Sequence, residues 1–137
     1  VSLISSKGLY GLAAMYELHL RKSAKPVQIK EISEHADIPQ NYLEQLLGTL
    51  RKAGLVSSTR GAHGGYHLAR DSKEIMIRDI FEALEGQLSI VESMTKNPAL
   101  ALFYEEKTKE LEALFDLSLA DLSKYQQLVS KQICYSI

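Results

Sequence analysis

The segment from Leu55 to Arg70, LVSSTRGAHGGYHLAR, constrains the fold more than any other stretch of the chain. Two short β-type runs, Leu55–Thr59 and Tyr66–Ala69, flank a loop that holds Gly61, Gly64 and Gly65. Glycine takes positive φ at little steric cost, so glycines between two such runs predict a hairpin. Arg60 stands at the mouth of that hairpin, and a helical segment, Pro39–Ala53, comes just before it. A helix that fits a major groove, beside a hairpin that carries an arginine to a phosphate or a minor groove, is the arrangement of a DNA reader.

The remaining segments read mainly as helices. Ser5 or Ser6 is placed to cap a first helix reaching about Arg21, with Leu9, Leu12, Ala13, Tyr16 and Leu20 as its inward stripe. Pro26 breaks the pattern. Gln28–Ala36 reads as a short helix, and Asp37–Pro39 as the turn into the next one. In Pro39–Ala53 the apolar stripe is Tyr42, Leu43, Leu46, Leu47 and Leu50, and Gly54 supplies the stop. Ile77–Leu84 is a fourth helix, ended by Gly86. Gln87–Lys96 is irregular, and Asn97 followed by Pro98 is a helix start. The pattern then predicts a long helix to about Leu117 and a short one around Leu119–Tyr125, started by Ser118 and Asp121 in a capping box. The tail after Lys131 shows no clear period.

The long helix carries Leu100, Phe103, Tyr104, Leu111, Leu114 and Phe115, more apolar surface than a small front domain can cover. It therefore reads as a dimerisation helix, since operator readers pair to match two half-sites. The fold class is mainly α with a small β-hairpin wing. Residues 1–86 form the winged helix–turn–helix, and residues 87–137 the connecting loop, dimerisation helix and C-terminal tail.

Charge is uneven along the chain. Residues 1–78 hold 11 Lys/Arg against 7 Asp/Glu, while residues 79–137 hold 5 against 10, so a net +4 faces a net −5. A basic front suits a protein that meets phosphates with one end. No apolar run approaches the ~20 residues of a membrane span, and no signal peptide is expected. A single cysteine, Cys134, permits no internal disulfide and points to a cytoplasmic setting.

On the polar face of Pro39–Ala53, Asn41 and Gln45 carry amides suited to adenine, and Glu44 an acceptor for the cytosine amino group. Gln40 extends that face; Thr49, Arg51, Lys52 and Tyr42 are placed for phosphate, with Arg60 and His63 on the wing. No metal site is expected: of the four histidines only His63 and His67 lie near each other in sequence. The glycines of the hairpin lack the Gly-Lys-Ser/Thr of a phosphate loop, and no catalytic triad can be assembled, so an enzyme is not expected. Two readings remain beside the DNA reader. One is a protein-interaction module on the same fold; the other is a small-molecule sensor with its ligand between Gln87–Lys96 and the long helix.

Four motifs, ISSKGLYGLAAMYEL, YLEQLLGTLRKAGLV, RGAHGGYHLAR and IRDIFEALEG, occur in order and together resemble the Rrf-two (Rrf2) family of bacterial winged-helix transcription regulators. The resemblance is close over residues 3–91. It implies a homodimeric repressor on a pseudo-palindromic operator, with Asn41, Tyr42, Glu44 and Gln45 in the major groove and Arg60 in the minor groove. Many members hold an iron–sulfur cluster on three cysteines after the ALEG motif. Here that stretch reads QLSIVESMTKNPAL, so no cluster is expected. The chain is similar to the cluster-free branch that controls cysteine metabolism together with cysteine synthase. That resemblance implies a tail, Tyr135-Ser136-Ile137, offered to the enzyme's active site through its terminal carboxylate.

Overall fold

The computed structural model describes residues 2–21 and 25–136, with side chains up to residue 133. Helices α1 (Ser6–Leu20), α2 (Ile29–Ala36) and α3 (Gln40–Lys52) come first. Strands β1 (Val56–Thr59) and β2 (Gly65–Leu68) follow, then α4 (Ile77–Glu85), α5 (Pro98–Ala113) and α6 (Ser123–Ser136). β1 and β2 pair antiparallel with Val56 opposite Leu68 and Thr59 opposite Gly65. Val27 adds a single bridge on the outer edge of β2, exchanging both backbone hydrogen bonds with Tyr66 at 2.8 Å. The helix-rich fold with one hairpin wing is the one the sequence predicts.

One core joins α1, α2, α3, the hairpin and α4. Met15, Ile32, Leu43, Leu47, Leu50, Leu55, Ile75 and Ile80 are fully buried in it. The apolar stripe of α3 is the expected one, with Tyr42 only half-buried.

The face of α1 is not the expected one. Leu9 and Leu20 are 64% and 51% exposed, and the buried positions are Gly8, Gly11, Ala14, Met15, Leu18 and His19. The cause is close packing of α1 on α4. A Cβ at Gly11 would overlap the Leu84 side chain, and one at Gly8 would overlap Ile4. Only glycine admits α4 that near, and its lack of a side chain turns the helix away from the larger leucines.

The long helix is also shorter than predicted. α5 starts as expected, with the Asn97 side chain accepting from the N–H groups of Ala99 and Leu100. It ends at Ala113 instead of near Leu117. Residues beyond it turn back and hydrogen-bond in extended form to the start of α4. Ile77 N–H donates to Leu117 O at 2.8 Å, Arg78 N–H to Phe115 O at 3.2 Å, and Leu119 N–H to Ile75 O at 2.7 Å. Leu119 is fully buried in the core. Phe81 and Phe115 meet edge-on, with centroids 5.0 Å apart. Arg78 ties the same corner to Asp116 at 3.1 Å and Glu112 at 3.9 Å.

The capping box holds. Ser118 N–H donates to Asp121 Oδ2 at 2.8 Å, and Asp121 N–H to Ser118 Oγ at 3.2 Å. The Ser118 N–H first, and then the Ser118 hydroxyl, hold the Asp121 carboxyl below its ordinary value. It opens a single 3-10 turn at Ala120–Leu122, and α6 then continues to Ser136, well beyond the predicted end near Tyr125. Tyr125, Leu128, Val129 and Ile133 are spaced for one helix face, and all four are exposed.

A carboxylate closes the N-terminus of α1. Glu85, the last residue of α4, accepts from the Gly8 N–H at 2.9 Å, from the Ser5 N–H at 3.2 Å and from the Ser5 hydroxyl. Desolvation raises its pKa. The Ser5 hydroxyl, the Gly8 and Ser5 N–H groups and the Lys7 charge outweigh that and hold it below the ordinary value. Glu85→Ala is expected to destabilise the fold by about 0.5–2 kcal/mol, the range for a lost helix cap, as read by urea unfolding at pH 7. Because the folded-state value is the lower one, the stabilisation is complete above the unfolded value near 4.5 and disappears as pH falls through the folded value. The difference between wild type and variant should therefore shrink below pH 4.5.

Candidate nucleic-acid interface

Burial sets the rotation of α3. Leu43, Leu46, Leu47 and Leu50 are 0–5% exposed. A helix with that stripe inside has the opposite side outside, and Gln40, Asn41, Glu44, Gln45 and Thr49 are all exposed. Asn41, Glu44, Gln45 and Gly48 share one face by spacing. No acidic residue stands in the first turn of α3, and its N-cap, Pro39, makes no side-chain capping bond. The positive end of the helix dipole is thus left for an anion.

Tyr42 marks the edge of this face. Its ring packs edge-on against Tyr10, with centroids 5.8 Å apart, and its hydroxyl lies 3.4 Å from Ser6 Oγ. It fixes α3 against α1 while its polar end stays at the surface. Thr49 turns its hydroxyl back to Gln45 O at 3.2 Å.

The wing is tied to α3. Arg51 Nη1 donates to Ser58 Oγ on β1 at 3.1 Å. Leu55 N–H donates to Leu50 O at 3.0 Å, so strand and helix share a backbone joint. The tip is held from the other side by Val27. Gly65 has φ +157°, and a Cβ there would run into the Val27 carbonyl. The loop therefore needs glycine where β2 meets Val27. Arg60 and His63 are exposed at the tip, and Arg60 makes no ion pair among the described residues.

The structure thus brings Gln40, Asn41, Tyr42, Glu44, Gln45 and Thr49 onto one helix, with Arg51 bridging to the wing that carries Arg60 and His63. Tyr135 and Ser136 lie at the end of α6 without described side chains, and Ile137 is outside the described residues. The sequence reading missed Gln28 and Lys30 at the start of α2. They line a groove with Arg51, Ser58, Thr59 and Arg60. The available signal was their position at a helix start just after Pro26.

Fold and surface define a winged-helix transcription regulator, and the comparisons agree. The chain matches the Rrf2 model, described as an iron-dependent transcriptional regulator, over residues 4–129, and it belongs to that family. It is 40% identical over 124 residues to the HTH-type transcriptional regulator CymR of Bacillus subtilis, covering 89% of this chain and 90% of that one. It is 34% identical over 134 residues to the regulator IscR of Xenorhabdus nematophila, covering 92% and 82%. The solved structure of B. subtilis CymR, described as the global cysteine regulator, superposes with a TM-score of 0.80 at 37% identity, over 91% of this chain and 98% of that one.

The family description raises the question of iron. The loop between α4 and α5 offers Ser89, Glu92, Ser93, Met94 and Thr95, with no cysteine and no histidine. Among the described residues no three His, Cys, Asp or Glu side chains converge as a metal site. These donors do not fit an iron–sulfur cluster, which rests on thiolates. No helix among the described residues is long and apolar enough to cross a membrane.

Proposed function

We propose that the chain is a homodimeric, cluster-free repressor that reads a pseudo-palindromic operator with α3 and the wing. One observation carries the reading. The polar face of α3 is uncovered, its rotation is fixed by four buried leucines, and the Arg51–Ser58 bond sets it against a wing with an unpaired arginine. Asn41, Gln45 and Glu44 would read base edges, Gln40, Tyr42, Thr49 and Arg51 would hold phosphates, and Arg60 with His63 would enter the flanking minor groove.

Arg60→Ala is expected to weaken operator binding by about 1–3 kcal/mol, some 5- to 150-fold. Gel-shift titration at fixed salt checks this, on an operator first selected from genomic fragments. Unchanged affinity would remove Arg60 from the site.

Dimerisation is supported by the rear helices. Leu100, Leu102 and Phe103 on α5, Leu114 just after it, and Leu128, Val129 and Ile133 on α6 are all at least 46% exposed. A monomer rarely presents so much apolar surface on adjoining elements. Sedimentation equilibrium at micromolar concentration should return twice the mass of the chain, and Phe103→Glu with Leu128→Glu should return a single one.

The cysteine-regulator relative supports a signal from sulfur metabolism; cysteine synthase as the partner, with the tail Tyr135-Ser136-Ile137 as the docking peptide, rests on the sequence resemblance alone. α6 is exposed from Lys124 to Ile133, and its backbone continues helical to Ser136. Removing residues 136–137 should abolish capture by immobilised cysteine synthase while operator binding persists; retention of the complex would end this part of the reading.

A further inference from the structure

A second basic cleft lies on the outer side of the wing, away from α3. Pairing places Ser57 opposite His67, and Ser58 opposite Tyr66. Ser58 points toward Arg51 and α3, so Ser57, Thr59 and His67 point the other way. The cleft on that side is lined by Arg21, Lys25, His67, Arg70, Asp71 and Lys73, among others.

The charges there are not balanced. Arg21 is neutralised by Glu31 at 3.0 Å and Glu17 at 3.8 Å. Asp71 is engaged locally, accepting the Lys73 N–H at 2.9 Å. Arg70 and Lys73 are exposed and make no ion pair among the described residues. Glu74 does not line the cleft. The segment that carries them is braced by Ala69 N–H on Leu55 O at 3.1 Å, Glu74 N–H on Asp71 O at 2.8 Å and Ala120 N–H on Ser72 O at 3.2 Å. Ser72 is buried beneath it. Arg70 and Lys73 on this braced platform outnumber Asp71, the carboxylate that shares the cleft with them, so a net positive charge remains there.

The cleft is continuous with the interface already described. Lys25 lines it, and Lys25 also lines the groove on the tip side together with Lys30 and His63. Strand β2, Gly65–Leu68, spans roughly 13 Å at about 3.3 Å per extended residue, a length over which one DNA strand advances by about four phosphates along the duplex axis. We infer that the operator flank bends around the wing and lays its phosphates along Arg70 and Lys73. This extends the reading of the protein as a DNA binder and rests on it. Neutralisation of phosphates on one side favours a bend toward the protein, and flexible pyrimidine–purine steps in the flank would make the bend easier.

The test compares wild type with the double variant Arg70→Gln and Lys73→Gln, which keeps long side chains at two exposed positions. Two lost phosphate contacts should lower the slope of log affinity against log salt by about 2. Hydroxyl-radical protection should shorten on the outer flank, and circularly permuted fragments should report a smaller bend. On an operator trimmed of its flanks the two proteins should bind alike. A wild-type slope, footprint and bend in the variant would overturn the inference, even if the cleft then captured an acidic protein. That outcome leaves the DNA reading intact, because Arg60→Ala would still weaken binding. Failure of wild type to bind any fragment would take both down.

Discussion

Four leucines set the geometry on which everything else depends. Leu43, Leu46, Leu47 and Leu50 together bury side chains worth roughly 6–12 kcal/mol at about 1.5–3 kcal/mol each, and they do so along one line of α3. Turning the helix by one residue's angle would expose that stripe and press Glu44 or Asn41 into the core. Neither carboxylate nor amide has a partner waiting there. The face that would meet bases is therefore selected by what must stay dry. The polar residues do not position themselves; the apolar ones position them.

The same burial fixes the wing. Leu50 accepts the Leu55 N–H, and Leu55 and Val56 enter the core, so the first strand begins where α3 ends with no free linker between them. Arg51 adds a side-chain strut to Ser58. Val27 then closes the far edge of β2 and draws the start of α2 to the hairpin. Helix and arginine are thus presented at one spacing, which lowers the entropy lost when both engage a duplex. The rear of the chain joins this unit through the extended stretch after α5. Its backbone bonds to residues 75–78 and the Phe81–Phe115 contact seat it on α4, which in turn packs on α1 and α3. A displacement of α5 relative to its neighbours is delivered to α4 by hydrogen bonds, not by a loose tether.

Legibility in the sequence followed the range of the interaction concerned. The hairpin, the stripe of α3, the Asn97 cap and the Ser118–Asp121 box are local, and each was readable from residues within a few positions. The buried face of α1 was not, because it depends on Gly11 meeting Leu84 and Gly8 meeting Glu85 and Phe81 of α4, more than seventy positions away. Leu9 and Leu20 look like core residues until α4 is placed. The end of α5 was hidden for a related reason: Leu114 to Leu117 would continue a helix, and only hydrogen bonds to residues forty positions away stop it. The length of α6 was readable from Tyr125, Leu128, Val129 and Ile133 but was obscured by its polar surroundings. In the interface, the α3 face and Arg60 were legible because they lie in two adjoining motifs. Gln28, Lys30, Lys25, Arg70 and Lys73 were not, since three separated segments have to meet before they form grooves.

The charge asymmetry takes its meaning from this layout. Arg51 lies in the last turn of α3, Arg60, Arg70 and Lys73 lie between α3 and α4, and Lys25 and Lys30 are folded in beside them. Most of the acidic excess of residues 79–137 sits on α4 and α5, where Glu105 and Glu110 pair with lysines on the helix surface. A phosphate backbone approaching such a molecule is drawn to one end and repelled from the other, so the field orients the encounter before any side chain touches a base. The loop after α4 fits the same logic. The oxygen donors of that loop do not fit a cluster, and Glu92 of the loop faces Glu105, Lys109 and Glu112 of α5 across one hollow.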